Sequence, residues 1–153
     1  MLAARKRLYQ QKRPTIIAVL SEGAVVRALQ EGVAAGLPAP EATRSRCREA
    51  ARREAENMAQ LMESVPIGLQ LGLATGPEPS AAFMLLRGRD RAHVVTSAIP
   101  ADTPPVAVTG VAGITAAEEA VSVYQRVAEG LWRDAAKGVA GAQRLRELIA
   151  RHG

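Results

Sequence analysis

The stretch Ile67-Gly-Leu-Gln-Leu-Gly-Leu73 decides the fold class. Its apolar residues stand at 67, 69, 71 and 73, the two-residue period of a strand and not the 3.6-residue period of a helix. Just before it the period changes. Cys47, Ala51, Ala55, Met58, Met62 and Val65 recur at steps of three and four, which draws one apolar stripe along a long helix. The opposite face is charged, with Glu49–Arg53 and Arg52–Glu56 at i,i+4 spacing. Pro40 suits the first turn of this helix. A helix feeding a strand already sets the chain among mixed α and β folds.

Working outward, Thr15–Leu20 is an aliphatic, β-branched run of buried-strand length. Val26, Leu29 and Val33 then share a helical face that Gly36 and Pro38 close. Beyond residue 73, Gly76-Pro-Glu-Pro-Ser80 reads as a turn. Phe83–Arg87 and His93–Ser97 flank Gly88-Arg-Asp-Arg91 as a hairpin. Residues 98–113, with Pro100, Pro104, Pro105, Gly110 and Gly113, predict an irregular connection, with room for a short edge strand at Val106–Thr109. Thr115-Ala-Ala-Glu118 has the spacing of a capping box. Behind it Ala120, Tyr124, Val127, Leu131 and Ala135 form a stripe that Lys137 and Gly138 close, and a last helix carries Leu145, Leu148 and Ile149. The order α-β-α-α-β-β-β-α-α predicts an α/β (α+β) domain. It has a small mixed sheet of about four strands packed by amphipathic helices, with 1–153 as one domain.

Composition bounds the function. Only Tyr9, Phe83, Tyr124 and Trp132 are aromatic, so the core is aliphatic and base stacking on exposed rings is not expected. One cysteine, Cys47, excludes an internal disulfide and a multi-cysteine zinc site, and with two histidines far apart no metal or cofactor is expected. The net charge of +5 is local. Residues 1–13 hold Arg5, Lys6, Arg7, Lys12 and Arg13 and no acid, so the other 15 basic residues balance the 15 acidic ones. This basic N-terminal helix suits an acidic partner or phosphates, and its plainer reading is a solvated first helix. Thr15–Leu20 is cut short by Ser21 and Glu22 and so fails as a signal-peptide core. No apolar run reaches about 18 residues, so no membrane span and a cytoplasmic location are expected.

No glycine lies in a phosphate-cradling strand–loop–helix setting, and no nucleophile elbow, HExxH or framed carboxylate pair occurs. Glu22 follows the first strand, where α/β sites lie, or is an acid favoured by a helix start. His93 beside Arg91 and near Arg87 suits acid/base work or ligand binding, or is a surface histidine; Val95 stands where a phosphodiesterase-type HxK motif needs lysine. Tyr124 and Trp132 line a pocket or supply bulk to an aromatic-poor core. Cys47, between arginines, is a reactive thiol or a small buried residue. Gly32–Arg46 also has an outline of a helix–turn–helix, with Gly36 as the turn and Thr43, Arg44 and Arg46 on a recognition helix. Ala42 and Ser45 are small where that motif packs larger aliphatics, and Pro38 and Pro40 lengthen its turn.

Laid end to end, several segments resemble a known family. Ala4-Arg-Lys-Arg-Leu-Tyr9 with Ala18-Val-Leu-Ser-Glu-Gly-Ala-Val25, Gln60-Leu-Met62 through Leu73, Gly76-Pro-Glu-Pro, Phe83-Met-Leu-Leu-Arg87 and Val121-Ser-Val-Tyr124 with Leu131 and Ala135 carry the resemblance. It is to the C-terminal domain of actinobacterial XRE-type, antitoxin-like helix–turn–helix transcription regulators, here without the DNA-binding domain. Ser21 stands where that family has Asp, residues 32–54 are expanded, and the acid ending its Val-Val strand is absent around Thr96–Ala98. The resemblance implies sensing or partner binding that modulates a regulator, often with a small protein encoded nearby. Glu31-Gly-Val-Ala-Ala-Gly-Leu-Pro38 and Ser64–Leu73 also resemble the small subunit of diol dehydratase reactivases, although Ala34 and Ala35 replace its acidic run.

These readings converge on a non-enzymatic regulatory, ligand-sensing or protein-interaction domain. Its pocket would have Glu22, Arg87, His93, Tyr124 and Trp132 near the mouth, and Arg5, Lys6, Arg7, Arg44 and Arg46 would serve a partner or nucleic acid. A small-molecule ligand, a small acidic protein and a homodimer are all open as partners; nucleic acid is not expected for the isolated chain. A small biosynthetic enzyme using Glu22 or His93 as acid/base, and DNA binding through 32–53, stand as alternatives.

Overall fold

The computed structural model describes residues 14–32, 38–76, 82–97 and 112–153, together with Arg7 and Gln11, both helical. The aliphatic run forms β1 (Ile16–Ser21), and Ser21 caps α1 (Glu22–Glu31) by accepting from the Ala24 amide at 3.0 Å. Helix α1 stops at Gly32 rather than at Gly36, because Gly32 takes φ 85° and returns its amide to the Ala28 carbonyl at 2.9 Å. A Cβ there would stand 2.7 Å from the Cys47 Cβ, so the end of α1 touches α2 (Glu41–Ser64) at a position only glycine fits. Pro40 precedes that helix as its cap instead of entering its first turn. At its other end Val65 takes φ 42° and ψ 59°, a left-handed cap that a β-branched side chain tolerates poorly.

The alternating stretch begins pairing at Leu69, giving β2 (Leu69–Ala74). It lies parallel to β1, in register from Ile16↔Leu69 to Ser21↔Ala74, so β1, α1, α2 and β2 make one crossover unit. The hairpin is present as β3 (Phe83–Arg87) and β4 (Ala92–Ser97), closed by the Gly88 amide on the Arg91 carbonyl at 3.0 Å. β5 (Ala112–Thr115) adds antiparallel to β4, so Ala112 and Gly113 are strand and not loop. Residues 98–111, including Val106–Thr109, lie outside the described residues, as do Gly36 and Pro77–Ser80.

Thr115 pairs across from Val94, which keeps it in the sheet and defeats the capping box. α3 (Glu118–Asp134) starts after Ala117 with no side-chain cap. Lys137 and Gly138 do not belong to that helix either. Ala136 and Lys137 form β6 (Ala136–Lys137), antiparallel to Leu73 and Gly72, and Gly138 at φ 57° opens α4 (Gly138–His152). Lys137 still serves the end of α3, because its Nζ donates to the carbonyls of Trp132 at 2.6 Å and Arg133 at 3.0 Å.

The fold is therefore mixed α and β with helices over small sheets, but the strands divide into two sheets of three, ordered β1-β2-β6 and β3-β4-β5. The main core lies between the first sheet and α1, α2 and α4. Val25, Leu29, Ala55, Ala59, Met62, Leu73, Ala142, Leu145 and Leu148 are buried there. Small residues at 51, 55 and 59 let α2 approach its neighbours closely. The other face of the sheet meets α3 at Gly72, where a Cβ would stand 2.9 Å from the Ala135 Cβ and 3.1 Å from the Trp132 ring. Further along, α3 packs Tyr124 on Phe83 of the second sheet, with ring centroids 5.0 Å apart. α3 thus bridges the two sheets, although Val123 and Val127 on it are exposed. No helix among the described residues is long and apolar enough to cross a membrane.

Candidate functional site

Strand alternation sorts the second sheet into two faces. Phe83, Leu85, Val94 and Thr115 point toward α3, and Val94 is fully buried. Met84, Leu86, His93, Val95 and Ile114 therefore point outward. Met84, Val95 and Ile114 are direct cross-strand partners and form one apolar row, with Leu86 opposite His93 beside it. Met84 is 58% exposed, Leu86 46% and Ile114 69%. This is an uncovered apolar sheet face, flanked at one end by the hairpin tip Arg87-Gly-Arg-Asp-Arg91.

Arg87, Arg89 and Arg91 are exposed and form no ion pair among the described residues. Elsewhere Arg44, Arg48 and Arg53 of α2 and Arg144 and Arg146 of α4 hold carboxylates. Arg144 grips Glu22 with two nitrogens, Nε to Oε1 at 2.5 Å and Nη2 to Oε2 at 3.0 Å, and also reaches Glu147 at 3.1 Å. Arg146 bridges Glu56 at 3.1 Å and Glu63 at 2.5 and 2.9 Å, so Glu56 turns to α4 and not to Arg52. On α2, Glu49–Arg53 pairs at 2.9 Å, and Glu41 accepts from Arg44 at 2.9 Å and Arg48 at 2.6 Å.

On the inner side of the same hairpin tip lies an open cleft of about 400 Å³ between the tip and the first turns of α3. Among the described residues Asp90, Arg91, Glu118, Ser122, Gln125 and Arg126 supply its polar lining. Arg126 donates to Ser122 at 2.8 Å and Gln125 to Glu129 at 2.8 Å.

The five residues expected at a pocket mouth do not converge. Glu22 sits among the helices, where the hydrogen bonds from Arg144 hold its carboxyl below the usual 4.5. That makes it an ionised anchor for α4 and a weak proton acceptor. Trp132 lies on the opposite face of the first sheet, against Gly72 and 5.2 Å beneath the Lys137 ammonium. Tyr124 packs between α3 and β3, Arg87 ends β3, and His93 lies half-buried in the outer apolar face. Of the basic residues, Arg5 and Lys6 lie outside the described residues, Arg7 is exposed, Arg44 is paired with Glu41 and Arg46 is exposed on α2. Cys47 is a free, half-buried thiol.

Sequence reasoning passed over Met84 and Leu86, because the run Phe83–Leu86 is apolar at every position and shows no alternation that tells one face from the other, and over Ile114, because it follows the stretch read as an irregular connection. Among the described residues no group of three His, Cys, Asp or Glu is arranged to hold a metal. Compared with protein-family models, curated proteins and solved structures, the chain finds no match.

Proposed function

We propose that this chain is a non-enzymatic regulatory module that works by binding another protein on the outer face of its second sheet. The observation that carries the reading is the apolar row Met84–Val95–Ile114, left open on a sheet whose opposite face is closed by α3. Soluble monomers seldom leave a contiguous apolar surface on a sheet unless a partner uses it. The reading agrees with both resemblances. One is to a domain that modulates transcription regulators, and the other is to a subunit of a multi-chain assembly. The module acts in the cytoplasm, a compartment in which the free thiol of Cys47 stays reduced.

The cleft beside the hairpin tip favours a second reading, a small-molecule sensor in which a ligand bound against Ser122, Gln125 and Arg126 shifts the tip. Native mass spectrometry of the chain purified from its host, with hydrogen exchange on the same material, separates the two. The expected result is a stoichiometric protein partner that protects the amides of β3, β4 and β5 and is lost from a Met84→Glu, Ile114→Glu variant. A partner that this variant retains, or a small molecule held with no protein, overturns the reading.

A further inference from the structure

We infer that the free edge of β1 takes a second copy of this chain, whose own β1 adds antiparallel across a two-fold axis at Ala18 and joins the two first sheets into one. The edge belongs to the first sheet, so the inference does not depend on what binds the second. Its chemistry dictates the shape of what fits. The Ile16 amide donates to the Gly68 carbonyl at 2.8 Å, and β1 runs parallel to β2 from Ile16↔Leu69 onward. Backbone groups alternate sides along a strand, so Ile16, Ala18 and Leu20 bond to β2 while the N–H and C=O of Ile17 and Val19 point away from it. Among the described residues no strand pairs with that side, because β1 stands first in the order β1-β2-β6. An extended backbone is what satisfies donors and acceptors in this alternation.

β1 differs from the other edges in having no guard. Edge strands resist pairing through charge, proline or short length. β3 ends in Arg87 at a hairpin tip that also carries Arg89 and Arg91, β5 has four residues and β6 two. β1 has six, and from Thr15 to Ser21 there is no charged residue, proline or glycine. Ile16 and Ile17 are also exposed there.

Parity then selects the register. Residues opposed in an antiparallel pair must both point their backbone groups into the join or both away from it. Ile17 can therefore oppose the second copy's Val19 and exchange both hydrogen bonds with it, which sets Ala18 against Ala18 and Ile16 against Leu20. Every opposed pair is apolar, two of them contain a β-branched side chain, and no like charges meet. Sliding one way brings in Ser21, whose backbone begins α1, and sliding the other way brings in Thr15, which precedes the strand. The two-fold arrangement closes both open edges in one step, as an isologous interface does.

The test uses the full chain. Light scattering at micromolar concentration should give a mass twice that of the chain, falling to one chain on dilution. Ile17→Pro removes an N–H that makes no bond within the chain and should halve the mass without loss of helical signal. A cross-link checks the register and does not depend on that variant folding. In a Cys47→Ser background, Ala18→Cys should form a disulfide-linked dimer on mild oxidation, because opposed residues of this kind lie about 4.5 Å apart at Cα. Ile17→Cys should not, because its two copies are out of line along the strands. A chain that stays monomeric, a dimer that a folded Ile17→Pro retains, or a cross-link through Ile17→Cys and not Ala18→Cys overturns the inference.

Discussion

The two sheets handle the same residue types in opposite ways. Around the first sheet, Leu73 is buried against three helices while Ile16 and Ile17 stay exposed at β1, and Arg144 and Arg146 are closed onto Glu22, Glu56 and Glu63 from elements far away in sequence. On the second, one face is closed by α3 while the other leaves Met84, Leu86 and Ile114 exposed, and Arg87, Arg89 and Arg91 at its hairpin tip form no ion pair among the described residues. Arginine and leucine therefore have no fixed meaning in this chain. Where both find partners within it they make structure, and where both are left open they mark a surface.

The comparison is broken most severely by opening the closed side. Leu145 is completely buried among Met62, Leu73 and Leu148, so Leu145→Ala should cost about 2–5 kcal/mol by chemical denaturation. A loss well below 1 kcal/mol would mean that this core is loosely packed and the contrast between the sheets is false.

A second substitution tests the closeness of that packing through a conflict of principles. Gly141 sits in α4, where propensity alone favours alanine by about 1 kcal/mol. An added Cβ would stand 2.7 Å from the Ala136 carbonyl oxygen and 3.1 Å from the Met62 sulfur. The backbone contact has no way to yield, so Gly141→Ala should lower the thermal midpoint, by about 1–3 kcal/mol in stability. A raised midpoint would show that β6 is free to move away from α4.

These effects also mark what was legible beforehand. The period-two pattern at 67–73 and the stripe from 47 to 62 announce β2 and α2, because each has one buried face whose rhythm is written locally. β6 is only Ala136 and Lys137 and exists because Gly72 and Leu73 bond to it, which no local rhythm records. Thr115 misleads for the same reason: a long-range pairing with Val94 outweighs a local cap. Glu22 and Arg144 lie 122 positions apart, so the acid that looked available for chemistry is taken by a partner the linear sequence does not indicate. The outer face is the hardest case. Met84, Leu85 and Leu86 are equally apolar, and only the position of α3 decides which of them stays open.

A smaller effect sharpens the electrostatic half of the comparison. Arg144 and Arg146 hold the Glu22 and Glu63 carboxyls below their ordinary 4.5 through side-chain hydrogen bonds. The folded state therefore binds fewer protons than the unfolded one as pH falls. The stabilisation is complete above that ordinary value and is lost as pH falls through the lower folded one. Thermal melts should show stability declining as pH drops from about 5 toward 3, and Glu22→Gln should begin lower at neutral pH and decline less. Glu49→Gln removes an exposed pair within one helix and should leave the neutral-pH midpoint almost unmoved. A Glu22→Gln variant that melts like the parent at every pH would place the Arg144 clamp among the ion pairs that contribute nothing.

The smallest expected effect is on the open side, and its smallness is the point. Met84→Ser and Ile114→Ser each replace a large apolar side chain in a strand, a change that would be severe in a buried position. Both side chains remain mostly in water after folding, so little transfer free energy is at stake and each should shift stability by less than about 1 kcal/mol. Val94→Ala supplies the internal control, because Val94 pairs one position along from Met84 but points to the closed side and is fully buried. It should cost more than either serine substitution despite removing fewer atoms. If the serine variants prove as destabilising as Val94→Ala, the outer face is packed against this chain's own residues. The sheet would then be closed on both sides.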